Sequence, residues 1–200
     1  MSVDGSVRAW MLPDERVAVR LMNTIWVGAE GIRDDLRAPG DLDAWFDAAG
    51  LGRAGARATA AELAAARGLR DAARGLAAFV TADPGQAAGA AAGALDEALA
   101  TVNAVAADAA APALTLAGGR LVRTTQTSVS PVTAGLARVA ADAIDLLGGD
   151  DAARLRACPA QPCVLYFVKT HPRREWCSVA CGNRVRAARH YQRTRGLRSS

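Results

Sequence analysis

From Pro13 onward the apolar positions recur at helical spacing. Val17, Leu21 and Ile25 fall on one face, which predicts a helix over 13–27. Pro13 suits a first turn, and Asp14 and Glu15 complement the dipole there. Residues 28–40 read as a polar, charged loop. A short helix is predicted over 41–49, capped by Asp41 and stopped at Gly50, with Leu42, Trp45 and Phe46 turned inward. Thr59 and Glu62 have the spacing of a capping box. They open a long helix to Val80, with Leu63, Leu69, Leu76, Phe79 and Val80 on its apolar side. An alanine-rich helix is predicted from Pro84 to about Ala107.

The period changes at Pro112. Leu114 and Leu116, then Leu121 and Arg123, alternate around Gly118-Gly119, the pattern of a hairpin, with 124–130 as its extension. Pro131 opens a helix through Leu147 that Gly148-Gly149 closes, and a short helix over 150–156 leads on. Residues 1–150 are thus predicted to be mainly α with a small antiparallel β element, an α+β fold. Asn23 and Thr24 lie inside an otherwise apolar helix; they read as buried polar structural groups, with a ligand contact as the alternative. Trp10, Trp26 and Trp45 read as core or domain-contact residues.

Charge divides the chain in two. The net charge is +4, but residues 151–200 hold 11 Lys and Arg against 2 Asp and Glu, a balance of +9. Residues 1–150 hold 13 against 18, a balance of −5. The split predicts two units, 1–150 and 151–200, with different tasks. Lys169 is the only lysine, a bias expected of a GC-rich genome. The least polar stretch, 87–113, is mostly small residues broken by Asp96, Glu97 and Asp108, so no membrane span is expected. No basic and apolar leader pattern opens the chain, and a cytoplasmic location is expected. No phosphate-binding glycine loop, nucleophile elbow or histidine-rich metal motif is present, and no enzyme is predicted. The carboxylates Glu30, Asp34 and Asp35 read as solvated surface.

All four cysteines lie in the basic unit: Cys158-x4-Cys163, a gap of 13 residues, then Cys177-x3-Cys181. Thiolates are soft anionic donors, and two close pairs supply two edges of the tetrahedron that zinc prefers. Pro159 and Pro162 keep the first pair out of a helix. Residues 164–168 are β-branched and aromatic, hence a strand; 170–174 form a turn; a helix from about Ser178 carries the second pair. Knuckle, strand, turn and helix together resemble a treble clef. About 40 residues cannot bury a sufficient core, so metal should supply much of the folding energy. Four thiols leave no open coordination position, which predicts one structural zinc and no catalytic metal. His171 is an alternative donor, and free or disulfide-linked cysteines are the competing reading.

At these residues the chain resembles a known family. Trp176-Cys-Ser-Val-Ala-Cys-Gly-Asn-Arg184, followed by Arg186, Ala188, Arg189, His190 and Tyr191, is similar to the signature of the CGNR zinc finger. Leu155-Arg-Ala-Cys158 and Cys163-Val-Leu-Tyr-Phe-Val168 match it too. In that family the finger follows a domain called ABATE, linked to stress-induced transcription regulation. Leu21-Met-Asn-Thr-Ile25, the 41–49 helix and the helix before the finger look like that domain, so the resemblance covers nearly the whole chain. It implies zinc on Cys158, Cys163, Cys177 and Cys181, and DNA binding by the finger. The loop 170–174, with His171-Pro172 at its middle, is less polar than the family pattern and leaves loop contacts open.

The residues point the same way. On a helix from Ser178, Arg186, Arg189 and Arg193 share one face with His190 beside them, and Arg173 and Arg174 precede the helix. Guanidinium forks onto phosphate or onto guanine. The predicted DNA contacts are therefore Arg173, Arg174, Arg184, Arg186, Arg189, His190 and Arg193, with Arg184 also placed to fold back onto the thiolates. Asn183 reads as a structural amide at the helix start. Residues 1–150 would be an effector-sensing or dimerisation unit, through a small molecule or a homodimer. Two alternatives remain: a zinc-held platform for protein or RNA, and a thiol redox or metal switch.

Overall fold

The computed structural model describes residues 14–83, 92–126 and 128–196. Helix α1 spans Val17–Met22. Asp142 secures its start, accepting from the Ala18 amide and pairing with Arg16 at 2.8 Å. This helix is shorter than the 13–27 predicted. Asn23 and Thr24 end it: the Thr24 hydroxyl donates to the Leu21 carbonyl at 2.8 Å. Ile25, Trp26 and Val27 then follow β preference rather than helical period. They form β1 (Ile25–Gly28), antiparallel to β2 (Gly31–Asp34), where the sequence predicts helix and loop.

Helix α2 (Pro39–Ala49) starts two residues before the predicted Asp41. Asp41 acts from inside the first turn, its carboxylate accepting from the Arg37 and Ala38 amides at 2.9 and 2.8 Å. Gly50 ends the helix in the left-handed region, φ 70°. Helix α3 (Ala60–Thr81) opens on the predicted capping box, with Thr59 accepting from Glu62 N and Glu62 from Thr59 N. Helix α4 (Ala92–Ala106) fills the second half of the predicted alanine-rich helix. The start of that prediction, 84–91, lies outside the described residues, as does Trp10.

Strands β3 (Ala111–Ala117) and β4 (Arg120–Gln126) form the predicted hairpin around Gly118 and Gly119, both at positive φ as its turn requires. Helix α5 (Pro131–Gly148) follows, with Ser130 as its N-cap. The predicted 150–156 helix is a 3-10 turn, Asp150–Arg154, and then strand β5, Leu155–Ala157. Leu155 must turn into the core and Arg156 out of it, an alternation that suits a strand. Strand β6 (Tyr166–Val168) pairs antiparallel with β5, and α6 (Val179–Gly196) ends the described chain.

The main core gathers α1, α2, α3, α4 and α5 around Leu21, Leu42, Trp45, Phe46, Leu69 and Leu136. Gly135 lets α5 approach closely, because a Cβ there would overlap the Phe46 ring. A second core joins Val19, Met22, Ala73, Ala77 and Leu146 to Leu155, Tyr166 and Val168. The helical part and the cysteine segment are therefore welded by a shared apolar seam. Among the described residues, no helix is long and apolar enough to cross a membrane.

Candidate metal centre and basic helix

Antiparallel β5 and β6 bring the first cysteine pair to the mouth of a tight knuckle. Cys158 N donates to the Leu165 carbonyl at 2.9 Å, and Cys163 N to the Ala160 carbonyl at 2.8 Å. The second pair sits at the start of α6. Ser178 caps that start, its hydroxyl accepting from Cys181 N at 3.3 Å, so Cys177 and Cys181 face the knuckle together. This is the predicted treble-clef order. Ala160, Leu165 and Phe167 pack among the four sulfurs, with Trp26, Trp176 and Val185 around them.

All four sulfurs lie within 4.8 Å of one another. Cys163 and Cys177 Sγ are 3.8 Å apart, and Cys177 and Cys181 Sγ 3.5 Å. A tetrahedron with metal–sulfur bonds of about 2.3 Å has edges of about 3.8 Å, so the quartet can hold one zinc ion. The electrostatics agree. Hydrogen bonds from the Cys163 and Cys177 thiols, aided by backbone amides, bring Cys158 down to about 2. Donating to that thiolate pushes Cys163 up to about 12, and Cys177 is pushed up by Cys158 and Cys163. Thiols this crowded hold one another's protons, and a cation at their centre is what lets them ionise together.

Two of the residues predicted to touch DNA are occupied by the protein. Arg174 turns inward: it pairs with Glu15, donates to the carbonyls of Val168 and Cys177 at 3.1 and 3.2 Å, and lies over the Phe167 ring. Arg184 folds back onto the Cys181 sulfur at 3.4 Å, as its position after the motif allows. Arg186 stacks on Trp176 and donates to Asn183 Oδ1 at 2.6 Å, leaving part of its guanidinium exposed. Gly182 makes room for this stack, since a Cβ there would meet Trp176 at 3.1 Å and Arg186 at 3.3 Å. Arg173, Arg189, His190 and Arg193 are exposed, and Arg193 Nε donates to the Arg189 carbonyl at 3.3 Å. His171 is exposed and accepts from the Arg173 amide at 3.1 Å; it is outside the sulfur cluster.

The seam carries groups whose role the sequence left open. Asn23 is fully buried, and its amide meets both backbone groups of Tyr166: Nδ2 donates to the carbonyl and Oδ1 accepts from the N–H, each at 2.9 Å. Arg74, a helix residue without special signal, donates to the carbonyls of Met22 and Val164 at 2.9 and 3.0 Å and lies over the Tyr166 ring. Burial pushes the Tyr166 phenol well up, and its hydroxyl donates to Asp83 at 3.2 Å. Glu15 accepts from Val168 N at 3.1 Å as well as from Arg174. Trp26 packs against the sulfur cluster and Trp45 in the main core. Asp34 pairs with buried Arg70 at 2.7 Å, and Glu30 with Arg33.

The model of the ABATE family, described as "Putative stress-induced transcription regulator", matches residues 15–150. The chain belongs to the ABATE family. The model of the CGNR zinc finger matches residues 154–194. No curated protein matches the chain. In this ABATE protein the two matched stretches meet at the Asn23–Tyr166 seam. The Cys-Gly-Asn-Arg run of the finger supplies a metal ligand, the close approach under Trp176, the acceptor for Arg186 and a guanidinium for the sulfur.

Proposed function

We propose that this ABATE protein is a zinc-dependent DNA-binding transcription regulator, with the finger as reader and the ABATE region as its effector-sensing or dimerisation unit. The observation that carries the reading is the outer part of α6. From Arg186 to Arg193 every residue is exposed, and Arg186, Arg189 and Arg193 recur at i, i+3 and i+7. A helix with such a surface finds no core to pack on and gains from an anionic partner. Its root is fixed by Cys177 and Cys181, so the guanidiniums are held in line by the metal rather than by a large core. Arg173, on the turn before the helix, extends the basic surface. Arg174 and Arg184 serve the fold and the sulfurs, and contribute to DNA only through the charge they carry.

The test is a salt titration of zinc-loaded protein on fragmented genomic DNA, with matched RNA as competitor. Binding should fall with salt at a log–log slope of roughly −0.9 per phosphate contact. Arg189→Ala should lower that slope by about one contact, while exposed Arg138→Ala on α5 leaves it unchanged. Equal affinity of native protein and Arg186→Ala/Arg189→Ala for DNA would remove α6 as the reader. Equal competition by RNA would move the reading to an RNA or protein platform.

A further inference from the structure

The hairpin β3–β4 carries an apolar face that stays exposed among the described residues. Paired residues share a face, so Leu114 with Arg123 and Leu116 with Leu121 line one side. Leu114, Leu116 and Leu121 are 66%, 73% and 70% exposed. A two-stranded hairpin is at best marginally stable in water on its own. Three adjacent exposed leucines on such an arm mark a contact surface rather than a solvated one.

The opposite requirement appears elsewhere on the same chain. Between α3, α4 and α5 lies an open apolar groove of about 540 Å³, lined by Leu76, Phe79, Leu95, Leu99 and Ile144. Phe79 is 66% exposed in it. Asp96 stands at its wall, and Arg123 stands beside the leucines of the hairpin. Among the described residues neither makes an ion pair. The groove runs along α4 from Leu95 to Asn103, and the hairpin follows in the chain just beyond the end of that helix. The arm is about 23 Å long at the usual rise per residue.

We propose that a second copy of this chain covers both surfaces: each hairpin lies in the groove of the other copy, leucines inward and Arg123 against Asp96. A two-fold axis brings the arm of each copy to the groove of the other, so the exchange is made twice and closes the assembly as a dimer. Pairing the hairpins edge to edge would satisfy backbone groups but leave the three leucines in water. The arm exchange gives the dimerisation part of the proposed function its surface. It rests on that reading only in this respect, and its test uses no DNA, so a failure here leaves the finger's contacts standing.

The experiment is sedimentation of the zinc-loaded full chain over a range of micromolar concentrations. The native chain should sediment as a dimer. Leu116→Asp/Leu121→Asp and, separately, Leu99→Glu should each raise the dissociation constant at least about 100-fold. Asp96→Arg and Arg123→Asp should each raise it about threefold, and the double reversal should restore it. All these side chains are exposed, and unchanged circular dichroism shows that the variants fold. A monomeric native chain overturns the proposal. So does a Leu99→Glu chain that still dimerises fully, or a monomer whose groove takes up an apolar dye, which would make it an effector pocket.

Discussion

Replacing Asn23 by alanine should separate the two halves of this molecule. Its amide meets both the N–H and the carbonyl of Tyr166, at 2.9 Å each, and Asn23 and Tyr166 are 0% and 1% exposed. Asn23→Ala leaves two buried backbone groups without partners. Each such group costs about 1–3 kcal/mol, so the loss should be about 2–6 kcal/mol. That is a large share of the roughly 5–15 kcal/mol that holds a typical domain. Asn23→Asp should cost at least as much: it keeps an acceptor for the N–H, turns a second oxygen towards the carbonyl and buries a charge. The assay is urea unfolding of the zinc-loaded chain, followed by circular dichroism and tryptophan fluorescence. Thr101→Ala, which removes an exposed bond to the Glu97 carbonyl, is the control and should change little. A loss below about 1 kcal/mol for Asn23→Ala would refute the reasoning, since buried groups that cost so little must have found water or other partners.

Three further outcomes are expected. Glu62 accepts from Thr59 N, Thr59 Oγ1 and Ser130, which together outweigh desolvation and hold its carboxyl below the ordinary value. A depressed folded value means stabilisation that is present above the unfolded value and lost as pH falls through the folded one. Glu62→Gln should therefore cost about 1 kcal/mol at neutral pH, and the difference from the native chain should shrink as pH falls below the ordinary carboxyl value and vanish below the depressed one in parallel unfolding curves. Arg174→Ala leaves the Glu15 carboxylate, 1% exposed, without its cation, and should lower stability by about 3 kcal/mol while lowering the salt slope of any DNA binding by less than Arg189→Ala does. Removing zinc with a chelator should unfold the 155–185 segment and release Trp176 from its packing, read as a change in near-ultraviolet dichroism that zinc reverses.

The metal quartet was legible because its chemistry is local: four thiols at two short spacings leave few other readings. The capping box at Thr59, the Gly118-Gly119 turn and the helix behind Ser130 were legible for the same reason. The first helix was misread because Val17, Leu21 and Ile25 satisfy a helical period that tertiary bonding interrupts. Asn23 spends its amide on a strand 143 residues away, and no local rule reports such a bond. The start of β5 was missed because three residues carry too little period to identify a strand. The basic face of α6 was visible as a spacing, but not the division of labour within it. Arg174 and Arg186 look alike in sequence; one meets a buried Glu15 and the other Trp176, and both partners come from the fold.

Groove and seam lie on the same helix ends, which bears on how the two halves communicate. On α3, Leu76 and Phe79 line the groove while Ala77, between them, belongs to the seam with Tyr166. On α5, Ile144 lines the groove, Leu146 belongs to the seam, and Leu147 touches both. Beyond the seam, Arg174, paired with Glu15, donates to the carbonyl of Cys177 at 3.2 Å. A body in the groove therefore contacts turns that also pack against β6, and β6 adjoins the segment bearing two of the four sulfurs. Linkage makes this reciprocal: a group that binds more tightly with zinc in place must tighten zinc by the same factor. Leu99→Glu alters the groove without touching the seam or a cysteine, so it isolates the effect. Zinc affinity measured by competition with a chelator should weaken in Leu99→Glu, by about fivefold at the lower end of ordinary coupling energies. Equal affinities in the two chains would mean that the packed turns between groove and seam transmit nothing, and that the finger and the ABATE bundle share a core without sharing a state.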